Sequence, residues 1–272
     1  MTNSANNIKS KVALVSLDTH SSDDATQRAC EGCKSPDGLG FEFEFAFQPI
    51  VNLNNKTIYG HEALVRGPNG EGALPILDQV TNIYQFDQAC RAKAVQTAAE
   101  INLDGYLAIN FMPNAVFRPE LCIRHTLETV DKYQFDTKKL IFEFTEQELI
   151  NQPAHVANII NTYQKMGFKT ALDDFGAGYA GLNFIANYAV DIIKIDMNLI
   201  RDIDKSKAKQ AIVKSIARMC EELQTTVIVE GIETIAERDV LFSYGIHLFQ
   251  GFLFCKPSFK SIGTIATEAW LE

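Results

Sequence analysis

Two kinds of hydrophobic periodicity alternate along most of this chain. The segments "FEFAFQPIV" and "TIYGHEAL" show strand-like character on either side of the asparagine-rich turn "NLNNK". This arrangement predicts an antiparallel hairpin. After Gly67 the pattern changes to strand-like segments separated by helical ones. Six further strands are predicted, namely "YLAINF", "LIFEFT", "KTALDD", "DIIKID", "TTVIVE" and "HLFQG".

Helical periodicity fills the intervals between these strands. The predicted helices are 75–102, 119–132, 153–166, 180–187, 206–223 and 234–244. The clearest one, 206–223, carries a stripe of Ala208, Ala211, Ile212, Ser215, Ile216, Met219 and Leu223, which predicts an amphipathic helix.

Eight strands that mostly alternate with helices predict the fold class. In a chain of 272 residues this order indicates an α/β protein with a closed, TIM-like (β/α)8 barrel. The hairpin at the start is its irregular part, because it makes one strand antiparallel. An open doubly wound sheet is the alternative, although the sequence lacks the usual dinucleotide-binding glycine pattern of that fold.

Polar residues recur at or near the C-terminal ends of the predicted strands. Because side chains alternate along a strand, one parity turns all of them toward the barrel interior. They are Glu62, Asn110, Glu143, Asp173, Lys194, Glu230 and Gln250. This rim carries the catalytic groups of barrel enzymes. The four acidic residues, together with Asp174, could not share one pocket at neutral pH without cations, and oxygen donors without histidine favour Mg²⁺ or Mn²⁺ over zinc.

Two adjacent aspartates pose a problem of direction. Asp173 and Asp174 would point to opposite sides of a regular strand. The glycines that follow, in "DDFGAGYAGL", allow the chain to turn, so that both carboxylates could reach metal. A bridging Asp173, with Asp174 on a second ion, would suit a two-metal site.

Eight short motifs resemble the EAL phosphodiesterase domain, whose name is the tripeptide found here as Glu62-Ala63-Leu64. They are "FQPIV", "HEALVR", "AINF", "EFTE", "LDDFGAGYAGL", "IIKID", "VEGIE" and "QGFLFCKP", in the order and spacing of the family. The resemblance begins near Phe45 and continues to the C-terminus. It implies hydrolysis of the second messenger cyclic di-GMP to linear pGpG, two Mg²⁺ or Mn²⁺ ions, and a barrel with one antiparallel strand.

The resemblance also implies roles for individual residues. The first metal would be held by Glu62, Asn110, Glu143 and Asp173, and the second by Asp173, Asp174 and Glu230. The attacking water would be held and activated by Lys194 and positioned with the help of Gln250. Substrate binding would involve Arg66 on a phosphate and, more weakly supported, Gln48.

Three further expectations come from the same resemblance. Glu146 would anchor the loop after Asp174, which in the family links the active site to a dimer interface, so a homodimer is expected. Met112 and Ala180 stand where the family often has smaller or hydroxyl residues. Since neither is a metal ligand, these differences are expected to adjust the activity rather than to abolish it. A receptor that binds cyclic di-GMP or a partner protein without turnover is the alternative function, and a metal-dependent barrel enzyme of another kind is a third.

The net charge and the distribution of apolar residues argue against two classes of partner, polymeric nucleic acid and membranes. The formal net charge is −9, which argues against a binder of polymeric nucleic acid. The sequence has no run of 18 apolar residues and no proper signal peptide, so no membrane contact and a cytoplasmic location are expected.

The sequence also predicts the domain boundaries and the state of the cysteines. Residues 1–40 are interpreted as a flexible tail and 41–272 as the phosphodiesterase domain. Cys30 and Cys33 form a lone CxxC, a weak signal for zinc or redox chemistry. The other cysteines, Cys90, Cys122, Cys220 and Cys255, are predicted to be buried thiols.

Overall fold

A computed structural model describes residues 39–146, 153–178 and 181–270 of the chain. Nine strands lie in one sheet. They are β1 (Glu44–Asn52), β2 (Thr57–Arg66), β3 (Tyr106–Asn110), β4 (Leu140–Thr145), β5 (Lys169–Phe175), β6 (Ile192–Ile195), β7 (Thr226–Val229), β8 (Leu248–Phe249) and β9 (Ser258–Phe259). Residues 1–38 of the predicted tail, with the Cys30–Cys33 pair, lie outside the described residues.

The sheet closes into a barrel of eight strands. Strands β2 to β8 follow one another in parallel, and β1 pairs with both β8 and β2 in antiparallel orientation. The short β9 adds a further antiparallel pairing to β1. The predicted TIM-like barrel with one antiparallel strand is therefore confirmed, and the open doubly wound sheet is wrong.

Helices surround this barrel. Among the described residues they are α1 (Leu74–Leu77), α2 (Ile83–Glu100), α3 (Pro119–Cys122), α4 (Arg124–Tyr133), α5 (Pro153–Lys165), α6 (Gly181–Asn187), α7 (Met197–Ile200), α8 (Lys207–Glu222) and α9 (Ile235–Phe242). Side-chain caps begin several of them: Asn82 accepts from the Gln85 amide, and Thr234 forms a reciprocal capping box with Glu237. No helix in the described ranges is both long and apolar enough to cross a bilayer.

The barrel interior follows the parity that the sequence predicts. Its lower part is a separate apolar cluster of Ile50, Ala108, Ile141, Ala171, Ile192, Ile228 and Leu248. The polar rim residues follow two positions later on most of these strands. The outward-facing residues of the strands, such as Phe142, Phe144 and Ile193, join the larger core beneath the helices. A packed floor therefore lies below the polar mouth.

The predicted stripe of the helix at 206–223 is wrong in part, because Ile216 and Met219 pack against the core whereas the other five residues of the stripe are exposed. Helix α8 buries Val213 and Cys220, whereas Ile212 and Leu223 are 47% and 50% exposed. The helix shows its alanine-rich side to solvent and turns a narrower face toward the barrel. Cys255 is also a correction, because it is only half-buried, while the other three cysteines in the described residues are buried and free.

Candidate metal centre and active site

Lys194 lies at the centre of the polar rim. Its Nζ atom is 2.7 Å from Glu230, 2.9 Å from Glu143 and 3.3 Å from both Glu62 and Asp173. The side chain is fully buried. Burial acts to lower the pKa of Lys194, but the four carboxylates outweigh it and raise the pKa well above its usual value. The lysine is therefore protonated in the metal-free cluster.

Glu62 connects the lysine to two amide side chains. Its Oε1 atom accepts a hydrogen bond of 2.8 Å from Asn110 Nδ2, and its Oε2 atom accepts one of 2.7 Å from Gln250 Nε2. Gln250 Nε2 also donates to Gln48 Oε1 at 3.2 Å. Each of these residues comes from a different strand or strand end, so closure of the barrel assembles the group.

The carboxylates form two triads that share one member. Glu62, Glu143 and Asp173 offer oxygens within 4.8 Å of one another, and so do Asp173, Asp174 and Glu230. These triads contain the acidic ligands that the sequence assigns to the first and second ions. Asn110 lies beside the first triad through its hydrogen bond to Glu62.

A local irregularity in β5 allows both aspartates to face the site. The pairing of β5 with β6 shifts register between Leu172 and Phe175, and Asp174 has a φ of 54°. This left-handed conformation is tolerated by aspartate and cancels the alternation of a regular strand. Gly176 continues the turn with a φ of 95°. Asp173 is buried and Asp174 half-buried.

The donor set fits hard divalent cations. The two triads bring together five carboxylates, four of which contact Lys194, so negative charge exceeds positive charge within this group. The Oε1 atom of Glu143 is buried and has no hydrogen-bond partner among the described residues, which is costly for a carboxylate unless a cation is bound. Oxygen donors from carboxylates and an amide are those that Mg²⁺ and Mn²⁺ prefer.

Burial gives Glu143 an unusual protonation equilibrium. Desolvation raises the pKa of Glu143 to about 8; Lys194 opposes this shift, and Glu62 and Asp173 reinforce it. Without a divalent cation, the folded protein therefore holds a proton that the unfolded chain releases near pH 4.5. This contribution makes the metal-free protein less stable as the pH rises from about 4.5 to 8.

Binding of a divalent cation at this triad should release that proton. We expect the apparent affinity for Mn²⁺ to rise by up to about tenfold per pH unit between pH 6 and 8, and to level off above about pH 8. Calorimetric titrations in buffers of different ionisation enthalpy measure both the affinity and the protons released. An affinity that is flat across this range, with no proton release, would contradict the assignment of Glu143.

The structure separates the two residues predicted to bind substrate. Arg66 is half-buried at the end of β2, where its Nη1 atom donates to the Val65 carbonyl at 2.8 Å. Burial lowers the pKa of Arg66, and the charge of Glu62 opposes this shift. Gln48 is buried between Gln250 and the Cys255 carbonyl, to which its Nε2 donates at 3.2 Å. Arg66 is thus partly accessible at the mouth, whereas Gln48 supports Gln250.

Glu146 organises the loop that follows β5. Its carboxylate accepts hydrogen bonds from the backbone amides of Gly176 at 3.2 Å, Gly178 at 3.0 Å and Gly181 at 2.6 Å. A Cβ atom at residue 181 would lie 3.1 Å from Glu146 Cδ and 2.7 Å from the Phe175 ring. The glycines therefore permit the close approach, and the loop contacts expected of Glu146 are present.

Glu146→Gln should loosen this loop. The glutamine keeps one acceptor oxygen, loses the negative charge and adds a donor that faces backbone amides. Since charge-assisted hydrogen bonds contribute about 1.5–3 kcal/mol each, we expect a lower melting temperature and a fall in turnover of about tenfold or more. Thermal melting and steady-state kinetics measure both, with Glu222→Gln on the exposed surface as the matched control. Wild-type values for Glu146→Gln would show that the carboxylate has no such role.

Sequence reasoning missed a buried ion pair behind the site. Asp87 and Arg91 on α2 lie 2.7 Å apart, and Asp87 accepts a hydrogen bond from the Met112 amide. The signal was present in the sequence. An aspartate and an arginine four residues apart adjoin the otherwise apolar positions Phe86 and Cys90.

Comparison with known proteins identifies curated relatives. The blue light- and temperature-regulated antirepressor BluF of Escherichia coli K12 is 32% identical over 225 residues, which are 82% of this chain and 56% of BluF. The cyclic di-GMP phosphodiesterase RocR of Pseudomonas aeruginosa is 27% identical over an alignment of 230 residues that covers 79% of this chain and 57% of RocR. This chain thus spans little more than half the length of either relative.

Solved structures match more of the fold. A standalone versatile EAL protein from Vibrio cholerae O395, in its c-di-GMP-bound form, superposes with a TM-score of 0.82 at 44% identity, covering 85% of this chain and 98% of that chain. Klebsiella pneumoniae BlrP1, in a manganese and cyclic di-GMP complex at pH 6, gives 0.79 at 36% identity, covering 85% and 60%. The sequence profile of the EAL domain matches residues 37–257. The chain therefore belongs to the EAL domain family.

Proposed function

We propose that this chain is a metal-dependent phosphodiesterase that hydrolyses cyclic di-GMP to linear pGpG. The observation that carries the proposal is the pair of carboxylate triads that share Asp173 and surround Lys194. Relatives named as cyclic di-GMP phosphodiesterases support the reaction. A similar structure that holds both manganese and the dinucleotide supports the ligands.

The residues would divide the two cations between them. Glu62, Asn110, Glu143 and Asp173 would hold one Mg²⁺ or Mn²⁺ ion, and Asp173, Asp174 and Glu230 a second. When bound, such ions neutralise the phosphodiester charge, lower the pKa of water and stabilise the leaving oxygen. The affinity of the rim for cations follows from its carboxylates, which greatly outnumber its one lysine.

The chain's own groups would orient the reactants. Lys194 is protonated in the metal-free cluster, and it would act as a hydrogen-bond donor and a positive charge toward the attacking water. Gln250 donates to Glu62 through Nε2, and its Oε1 atom is buried without a hydrogen-bond partner among the described residues. That oxygen would accept a hydrogen from the water. Arg66 would bind a phosphate oxygen, for which a guanidinium is well suited.

Product analysis tests this proposal. The purified protein is incubated with cyclic di-GMP and either Mn²⁺ or Mg²⁺, and the nucleotides are separated and weighed by mass spectrometry. We expect pGpG with the wild type and none with Glu62→Ala or with chelator. Binding of cyclic di-GMP without pGpG would favour the receptor function, which the antirepressor name of BluF makes the second candidate. Hydrolysis of an unrelated substrate would refute both.

The oligomeric state and the cellular location of the protein are also part of the proposal. We expect a homodimer through the face that includes the loop after Asp174, where Leu182 at the start of α6 is 64% exposed. Sedimentation velocity would distinguish dimer from monomer. A cytoplasmic location and a flexible tail over 1–40 remain predictions from the sequence.

A further inference from the structure

A buried ion pair lies on α2, outside the metal-binding rim. The side chains of Asp87 and Arg91 are 1% and 0% exposed, and Asp87 Oδ2 is 2.7 Å from Arg91 Nη2. Arg91 Nη1 lies 3.4 Å from the hydroxyl oxygen of Tyr163 on α5. Such a pair seldom stabilises a fold more than well-packed apolar residues of similar volume would. Its presence calls for a reason other than stability.

The other oxygen of Asp87 holds backbone next to the active site. Oδ1 accepts a hydrogen bond of 3.0 Å from the backbone amide of Met112. Met112 is the second residue after Asn110, the last residue of β3. An acceptor that is itself fixed by Arg91 thus holds the chain where β3 gives way to the following turn.

Three successive residues at this point are each fixed by a different contact. Asn110 donates its side-chain amide to Glu62. The amide of Phe111 donates to the carbonyl of Glu143 at 2.9 Å, and its ring packs on Phe142, Phe144 and Tyr163. Met112 is held by Asp87. The first two contacts join this segment to Glu62 and Glu143, which are proposed ligands. The third contact, to Asp87, fixes the point at which the segment leaves the rim.

We propose that Asp87, held by Arg91, is a positioning residue that fixes the Met112 amide and thereby the direction in which Asn110 meets the first cation. The inference rests on the metal site of the proposed function. Loss of the acceptor would leave a buried amide unsatisfied and let the segment move. A displacement of about 1 Å at a ligand is enough to lower the affinity and the rate.

Two paired substitutions separate this role from simple packing. Asp87→Leu with Arg91→Met removes both charges and the acceptor. Asp87→Asn with Arg91→Met removes both charges but keeps an acceptor oxygen for the Met112 amide. Tyr163→Phe removes the other contact of Arg91 and leaves Asp87 in place, so it controls for disturbance of α5.

Calorimetric titration with Mn²⁺ alone, without nucleotide, is the primary measurement. We expect the Asp87→Leu pair to bind Mn²⁺ about tenfold more weakly than the Asp87→Asn pair, at similar melting temperatures. The asparagine pair and Tyr163→Phe should stay within about threefold of the wild type. Equal affinities in the two pairs, whether both are normal or both are reduced, would overturn the proposal.

Hydrogen exchange of the wild type gives a second test that does not depend on a variant folding. The Met112 amide should exchange slowly, and we expect the same of the Phe111 amide, which donates to the Glu143 carbonyl. Exchange at the rate of an exposed loop would overturn the proposal. Since neither measurement uses cyclic di-GMP, a wild type without turnover would refute the phosphodiesterase and leave this inference standing.

Discussion

Replacing Lys194 by methionine is expected to lower turnover of cyclic di-GMP by about a thousandfold while divalent cations still bind. The ammonium is the cationic donor closest to four carboxylates, at 2.7–3.3 Å, and methionine fills a similar volume without a charge. A preorganised donor at a reacting centre contributes roughly a hundredfold to a thousandfold in rate. Single-turnover kinetics at saturating Mn²⁺ measure the loss. Rates near the wild type would remove the role given to Lys194.

The melting temperature of the same variant should rise more on addition of metal than that of the wild type. In the metal-free protein Lys194 contacts four carboxylates, and its charge offsets their mutual repulsion. Without it the carboxylates repel one another. We expect a lower melting temperature in chelator and a larger rise on addition of Mn²⁺. Lys205→Met, at an exposed pair with Asp202, is the control and should change neither value.

The architecture could be predicted because it follows from two periodicities of apolar residues, that of strands and that of helices. Strand parity alone places Ala171 and Ile192 in the interior layer, where the structure has them. The same parity brings Glu143 and Lys194 to within 2.9 Å. Since parallel strands of a barrel end at one rim, residues that are far apart in sequence converge without any further information.

Three features could not be predicted from these patterns. The sequence predicts that the glycines after Asp174 allow both aspartates to reach metal, but the left-handed conformation of Asp174 itself depends on how β5 pairs with β6. Most of the predicted buried face of α8 is exposed, apart from Ile216 and Met219, because alanines and an isoleucine fit an exposed helix surface as well as a core. The Asp87–Arg91 pair reads in sequence as two charges on a helix, which are usually solvated. Their place beside the apolar residues Phe86 and Cys90 is only a weak sign of burial, and the packing of α2 behind β3 shows that they are buried.

Asp173→Asn is expected to weaken the binding of both cations and to lower turnover. Asp173 belongs to both carboxylate triads and is fully buried beside Lys194. Asparagine preserves the shape and one acceptor oxygen but removes the shared charge. We therefore expect binding of both Mn²⁺ ions to weaken and turnover to fall by about a thousandfold or more, since the ions supply several kcal/mol of transition-state stabilisation.

Asp174→Asn is the matched comparison, because it makes the same change one residue later. Asparagine tolerates the left-handed φ of 54°, so the loop should keep its conformation. Only the triad with Glu230 loses a charge. We expect one Mn²⁺ per chain to remain tightly bound and the metal dependence of turnover to shift to higher concentration. Counting bound ions by equilibrium dialysis separates the variants. If both retain the same number, Asp173 does not bridge two sites, because a shared ligand must affect both ions and an unshared one only its own.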